Sequence, residues 1–95
     1  MIYFITQNND YIKIGYTERS AELRLTELQI GNPHELELSL TRDGNEGDEK
    51  QYHSRFAAYY VRGEWFFLSS EIKAFIRLSK AEGVGVAFMP TASKR

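Results

Sequence analysis

The chain has 95 residues, with 12 basic and 13 acidic side chains and a formal net charge of −1. This length suits one domain with one core, and 42% hydrophobic and 14% aromatic residues can fill that core. The absence of cysteine excludes disulfide frameworks, thiol nucleophiles and thiolate zinc sites, and the near-neutral charge restricts any nucleic-acid contact to a local cluster of cations.

A β-hairpin is the first predicted element. Residues 2–6 and 11–16 are rich in β-branched and aromatic types, and a polar run separates them. The period of two in a strand places Ile12 and Ile14 on one face of the hairpin. Lys13 therefore lies on the opposite face, as a polar group between apolar neighbours.

A helix and a strand are predicted next. Thr17 or Ser20 can be the N-cap of a helix that runs to about Gln29, and Arg24 lies beside its apolar stripe. Residues 35–41 alternate strictly between leucine and polar types, which predicts a strand with one apolar face. The residues expected to face a core together are Leu36, Leu38 and Leu40.

Two further helices are predicted in the second half of the chain. The first covers residues 48–61, and Gly63 is interpreted as its stop. Glu49 and His53 are four residues apart on it and therefore share a face. Residues 64–68 form a short extended piece, and a last helix follows.

The order of predicted elements is hairpin, helix, strand, helix, extended piece and helix. It indicates an α+β domain in which about three helices flank a small, mostly antiparallel β-sheet of about three strands. We assign residues 1–89 to this domain, including a final strand over 84–88, and expect residues 90–95 to form a flexible tail. Because no leader pattern and no membrane-length apolar run is visible, we expect a cytoplasmic location.

Tyr3, Arg24 and Glu49 supply the parts that phosphodiester hydrolysis requires. These are a group that activates water, a cation for the phosphate and a carboxylate for a divalent metal. A guanidinium suits phosphate, and Mg²⁺ needs only one or two protein carboxylates. The ordinary alternatives are a surface arginine paired with Glu22 or Glu27, and a first-turn glutamate favoured by the helix dipole.

Lys13 and His53 add groups whose roles the residues leave open. A cation near Tyr3 can shift its hydroxyl toward phenolate, which makes Tyr3 a general base or a water-positioning group. Lys13 can instead extend into solvent. His53 can orient or relay a proton to the water, contact phosphate, or be a half-buried polar residue of its helix. The candidate cations for nucleic-acid binding are Arg19, Arg24, Lys50 and Arg55.

In this order the motifs resemble those of the GIY-YIG nuclease superfamily over nearly the whole chain. Tyr3 is similar to the GIY tyrosine, and Lys13-Ile14-Gly15 is similar to the YIG triplet with lysine in its first position. The likeness is closest to a phage-type branch that reads KIG. The other matching pieces are Arg24-Leu25, the Glu-x-x-x-His helix from Glu49 to His53, and Gly63-Glu64-Trp65-Phe66.

The resemblance implies an endonuclease-like domain that hydrolyses DNA with Mg²⁺ or Mn²⁺. Glu49 would hold the metal, Arg24 would bind the phosphate, and Tyr3 would activate water with help from Lys13 and His53. DNA is the expected partner, RNA is not excluded, and a partner protein or a second copy of the chain would supply recognition. The alternative is a non-catalytic module that binds nucleic acid or protein, favoured by the near-neutral charge and the lysine in KIG.

Overall fold

A computed structural model describes residues 1–82, which form one antiparallel sheet and three helices. In chain order the elements are β1 (Ile2–Gln7), β2 (Tyr11–Tyr16), α1 (Ala21–Gln29), β3 (Leu36–Arg42), α2 (Glu46–Arg55), β4 (Tyr60–Arg62), β5 (Trp65–Phe67) and α3 (Ser70–Ala81). The strand order across the sheet is β3-β1-β2-β5-β4. None of the helices within residues 1–82 has both the length and the apolar content to cross a membrane.

The predicted α+β class is confirmed, but the sheet has five strands rather than about three. The predicted hairpin forms, with β1 paired to β2 from Ile2 opposite Tyr16 to Gln7 opposite Tyr11. The two additional strands are β4 and β5, which extend the sheet beyond β2. The strand predicted over 84–88 and the tail predicted over 90–95 lie outside the described residues.

The interior strand β1 is buried on both faces of the sheet and separates two cores. Phe4 belongs to the larger core, which α2 and α3 cover, while Tyr3 and Ile5 belong to the smaller core under α1. The alternation of side chains along a strand explains this division. The position of a residue along β1 therefore decides in which of the two cores its side chain packs.

The leucines of β3 do not share one core face as predicted. Leu36 and Leu38 pack in the core under α1, whereas Leu40 packs in the core under α2 and α3. The cause is a bulge, because Leu40 pairs with Phe4 but Leu38 pairs with the next residue, Ile5. Ser39 is the extra residue between these pairs, and one extra residue reverses the facing of all that follow.

The predicted helix over 48–61 is too long at its C-terminal end. Helix α2 ends at Arg55, a short 3₁₀ turn follows, and Tyr60–Arg62 then forms strand β4. Gly63 has a φ of 58° and forms the turn between β4 and β5 instead of ending a helix. The prediction was wrong because Gly63 suits both a helix end and a hairpin turn.

Helix α2 depends on its N-terminal cap, because none of its residues is fully buried. The Asn45 side chain accepts a hydrogen bond from the Asp48 amide at 3.0 Å, and the Asp48 carboxylate accepts one from the Asn45 amide at 2.8 Å. We expect Asn45→Ala to lower the free energy of unfolding by about 1 kcal/mol. Urea denaturation measures the change, with Asn45→Ser as a control that retains the acceptor, and equal stability of the two variants would contradict the expectation.

Candidate active site

Polar side chains from several elements meet at Gly15 in β2. Tyr3 of β1 pairs directly with Gly15, and the end of its ring lies against the glycine backbone. A methyl group at Gly15 would overlap the Tyr3 hydroxyl and would lie 2.8 Å from an oxygen of Glu64. The absence of a side chain at Gly15 thus lets the Tyr3 hydroxyl and the Glu64 carboxylate approach the same point.

Arg24 reaches this point from helix α1. Its Nε donates a hydrogen bond to the Tyr3 hydroxyl oxygen at 3.3 Å, while its Nη1 contacts Glu27 at 3.3 Å. Arg19 contacts the same Glu27 oxygen at 2.7 Å. The ordinary ion pair that the sequence allowed is therefore present, and the guanidinium also faces the site. A guanidinium has five N–H donors, so these contacts leave donors for a phosphate oxygen.

Burial, rather than the nearby cation, dominates the acidity of Tyr3. Its side chain is only 1% exposed. Burial raises the pKa of Tyr3 above its usual value, and the hydrogen bond from Arg24 only partly opposes this effect. The net direction of this pKa shift is therefore opposite to the one that a nearby cation alone would give. The hydroxyl oxygen accepts the hydrogen bond from Arg24.

Lys13 also lies in the site and does not extend into solvent. Its side chain is only 12% exposed, and its Nζ is 3.4 Å from Glu64 Oε1. The Nζ also lies 5.5 Å from the centre of the Trp65 ring, within range of a cation–π contact. Lys13 therefore adds a cation that a carboxylate and an indole hold in place.

Glu49 of α2 is close enough to Glu64 for the Glu64 carboxylate to raise the pKa of Glu49. Burial is the largest cause of this raised pKa, and the proximity and negative charge of Glu64 add to it. His53 acts in the opposite direction. Two adjacent carboxylates are stable only when they share a proton or contact a cation.

His53 ties helix α2 to the sheet. Its Nε2 donates to the carbonyl oxygen of Ile14 at 2.8 Å, and its ring meets Phe66 edge-on with 4.9 Å between centroids. These contacts make His53 a half-buried polar residue of its helix, which is one of the three roles that the sequence left open. They also position α2 so that Glu49, one turn earlier, faces the site. A direct role of His53 in proton transfer stays a prediction.

The remaining predicted cations lie apart from Gly15. Lys50 is exposed on α2, and the Arg55 guanidinium stacks on Phe56 and Phe75 at 5.1 and 4.8 Å, in the larger core. Sequence reasoning underrated Glu64, because it gave this residue no role of its own in the site. Its place in the Gly63-Glu64-Trp65-Phe66 motif was the available signal.

The donor set suits a hard divalent cation better than zinc. Within residues 1–82 no three His, Cys, Asp or Glu side chains form a metal-binding group. Glu49 and Glu64 instead offer two carboxylates, and Mg²⁺ or Mn²⁺ takes one or two carboxylates together with waters and substrate phosphate. The raised pKa of Glu49 agrees with this fit, since a cation would relieve the repulsion between the pair.

Comparison with known proteins gives one match. The family model described as the T5orf172 domain matches residues 1–79. No curated protein and no solved structure matches the chain. The matched range contains every residue of the site at Gly15.

Proposed function

The chain belongs to the T5orf172 domain family, and from this membership and the site at Gly15 we propose a divalent-metal-dependent endonuclease-like domain that hydrolyses DNA phosphodiester bonds. The family occurs among phage-type and GIY-YIG-like nuclease-associated proteins, so a nuclease-like or DNA-binding module is the broader class. The proposed domain extends over residues 1–89. The interpretation of Lys13-Ile14-Gly15 as a KIG form of the YIG motif is part of this proposal.

The proposal rests on one observation, which is that chemically different side chains lie together near Gly15. Tyr3, Arg24 and Glu49 come from a strand and two helices, yet each lies in or beside the contacts described above. Arg24 contacts the Tyr3 hydroxyl directly, and the charge of Glu49 acts on the pKa of the same hydroxyl. A structural ion pair needs no such combination, whereas phosphodiester hydrolysis uses each part.

Each residue has a role that follows from its contacts. Arg24 binds a phosphate oxygen with its remaining N–H groups and stabilises the charge that develops there. The neutral Tyr3 hydroxyl orients the attacking water, and Lys13 adds positive charge beside it. Glu49, with Glu64 beside it, would hold Mg²⁺ or Mn²⁺. The bound ion would supply further charge stabilisation for the phosphate.

Arg24→Gln tests the phosphate role. We expect kcat for cleavage of supercoiled plasmid with Mg²⁺ or Mn²⁺ to fall about 100-fold or more, which is typical for the loss of one preorganised donor. Arg19→Gln is the matched control, because Arg19 contacts Glu27 but does not contact Tyr3. That control should change the apparent KM and leave kcat at saturating DNA within about twofold.

Equal kcat values for the two variants would contradict the role of Arg24. Absence of cleavage with either metal, on plasmid and on single-stranded DNA, would overturn the nuclease proposal.

The second candidate is a module that binds DNA without cutting it. The observation that favours this candidate is Lys13, whose charge is engaged by Glu64 in the structure. Salt-dependent DNA binding without cleavage is the result that it predicts.

A further inference from the structure

A groove of about 480 Å³ lies beside α3, on the face of the sheet opposite Tyr3 and helix α1. Ile76 of α3 belongs to the larger core, whereas Tyr3 belongs to the smaller core. The groove lies between α3, the turn of the β1–β2 hairpin and strand β3. The proposed function uses none of its residues.

The α3 side of the groove carries three cations. Lys73, Arg77 and Lys80 are spaced by four and three residues, so they point to one side of the helix. All three are exposed, and none of them forms an ion pair within residues 1–82. Glu37 is the one carboxylate among residues 1–82 that lines the groove. The groove is therefore a concave, predominantly cationic surface on a chain whose net charge is −1.

The cations around the active site are different, because each of them is already paired with a carboxylate. Lys13 is paired with Glu64, and Arg19 and Arg24 share Glu27. Their attraction for a distant polyanion is correspondingly weak. The groove thus provides the local cluster of cations that DNA binding by a near-neutral chain requires.

We propose that the α3 groove binds the sugar-phosphate backbone of single-stranded DNA next to the strand segment held at the active site. This inference rests on the proposed function and names a second contact for the same substrate. Lysine, arginine and asparagine side chains are common phosphate contacts, and the groove also presents Asn8 and Asn9. Leu68 and Ile76 add an apolar part to its lining.

The size and position of the groove favour one strand over a duplex. A concavity of about 480 Å³ admits one backbone, whereas a duplex presents a wide convex cylinder. The stretch of chain from Tyr3 to Asn8 covers about 16 Å at about 3.3 Å per residue. A flexible strand of several nucleotides can follow this distance around the hairpin end and reach both faces of the sheet.

The test is the binding of a fluorescein-labelled 20-nucleotide single strand, measured by anisotropy between 50 and 200 mM salt in EDTA. EDTA removes divalent ions, so binding is measured without cleavage. The test variant is Lys73→Gln with Lys80→Gln. Its control is Arg62→Glu, which lowers the net charge by the same two units at an exposed position of β4, the far edge of the sheet.

We expect the double variant to bind about five- to tenfold more weakly at 50 mM salt, with a salt slope that is lower by about 1.4, or 0.7 for each lost phosphate contact. The control should bind within about twofold of the unmodified protein. Equal weakening in both variants would overturn the inference, because the effect would then be one of net charge. The inference is also overturned if a duplex of the same sequence binds more tightly than the single strand with the same dependence on α3. Competition by polyglutamate as effective as competition by unlabelled strand would do the same, since it would indicate an acidic protein partner.

Failure of this inference is distinguishable from failure of the proposed function. If the protein cleaves plasmid in an Arg24-dependent manner and the double variant binds DNA normally, the groove proposal alone is wrong. If the unmodified protein neither binds nor cleaves any DNA, both proposals are wrong.

Discussion

Replacing Glu49 with glutamine is expected to abolish DNA cleavage and, at the same time, to stabilise the metal-free protein at neutral pH. The amide cannot serve as a charged metal ligand, so cleavage should fall about 1,000-fold or more. The same amide removes a negative charge that lies beside Glu64 in a partly buried place. A substitution that abolishes activity and increases stability indicates that the original side chain serves function and not stability.

The stabilising effect has a defined pH dependence. The pKa of Glu49 is higher in the folded protein than its ordinary value of 4.5, so the folded state holds the proton more tightly. The contribution of this carboxyl group to stability is therefore complete below pH 4.5 and is lost as pH rises through the folded pKa. The Glu49→Gln variant should equal the unmodified protein below pH 4.5 and exceed it at pH 7. The gain should be no more than about 1 kcal/mol, because solvent screens the pair.

Urea denaturation at several pH values, with and without Mn²⁺, measures both parts of this expectation. The control is Glu46→Gln, because Glu46 is also an acidic residue in the first turn of α2 but is exposed. Mn²⁺ should stabilise the unmodified protein and the control, but not Glu49→Gln. The expectation would be contradicted if the difference in stability between Glu49→Gln and the unmodified protein were less favourable to the variant at pH 7 than at pH 4. Repulsion between Glu49 and Glu64 would then not be present.

Gly15→Ala is expected to be the most disruptive small substitution in the site. The new methyl group would overlap the end of the Tyr3 ring and would lie 2.8 Å from a Glu64 oxygen. Tyr3 is buried and cannot move aside freely. Overpacking of this kind costs about 1–3 kcal/mol, and displacement of the hydroxyl and the carboxylate should also remove activity.

A double-mutant cycle separates this clash from a general intolerance of alanine in β2. Tyr3→Ala removes the ring that the new methyl group meets, so Gly15→Ala should cost less in that background. We expect a coupling free energy of about 1–2 kcal/mol from chemical denaturation. Additive losses in the double variant would show that the close approach of Tyr3 is not the reason for glycine at this position.

Much of the site could be predicted because its parts occur at recognisable points of predicted elements. Tyr3 and Lys13 alternate correctly on the hairpin, and Arg24 and Glu49 occur on helices whose caps the sequence identifies. These local patterns depend on near neighbours in the chain. Their convergence at Gly15 depended on the family resemblance, because local pattern contains no information about how helices cross a sheet.

The features that were missed depend on contacts between distant residues. The Ser39 bulge is set by pairing with β1, and strand β4 exists because β5 offers a partner edge. The neutral state of Tyr3 is a balance between burial and the Arg24 hydrogen bond, which only three-dimensional placement decides. Glu64 was underrated for the same reason, since its partners Lys13 and Glu49 are remote in sequence.

The Ser39 bulge also has a consequence for how this protein behaves at high concentration. β3 is one outer strand of the sheet, and an irregular, twisted outer strand is a poor template for another chain. The opposite outer strand, β4, has only three residues and ends with Arg62. Both borders of the sheet within residues 1–82 therefore resist intermolecular β-pairing, so continuous sheets across molecules and the aggregation that accompanies them are disfavoured.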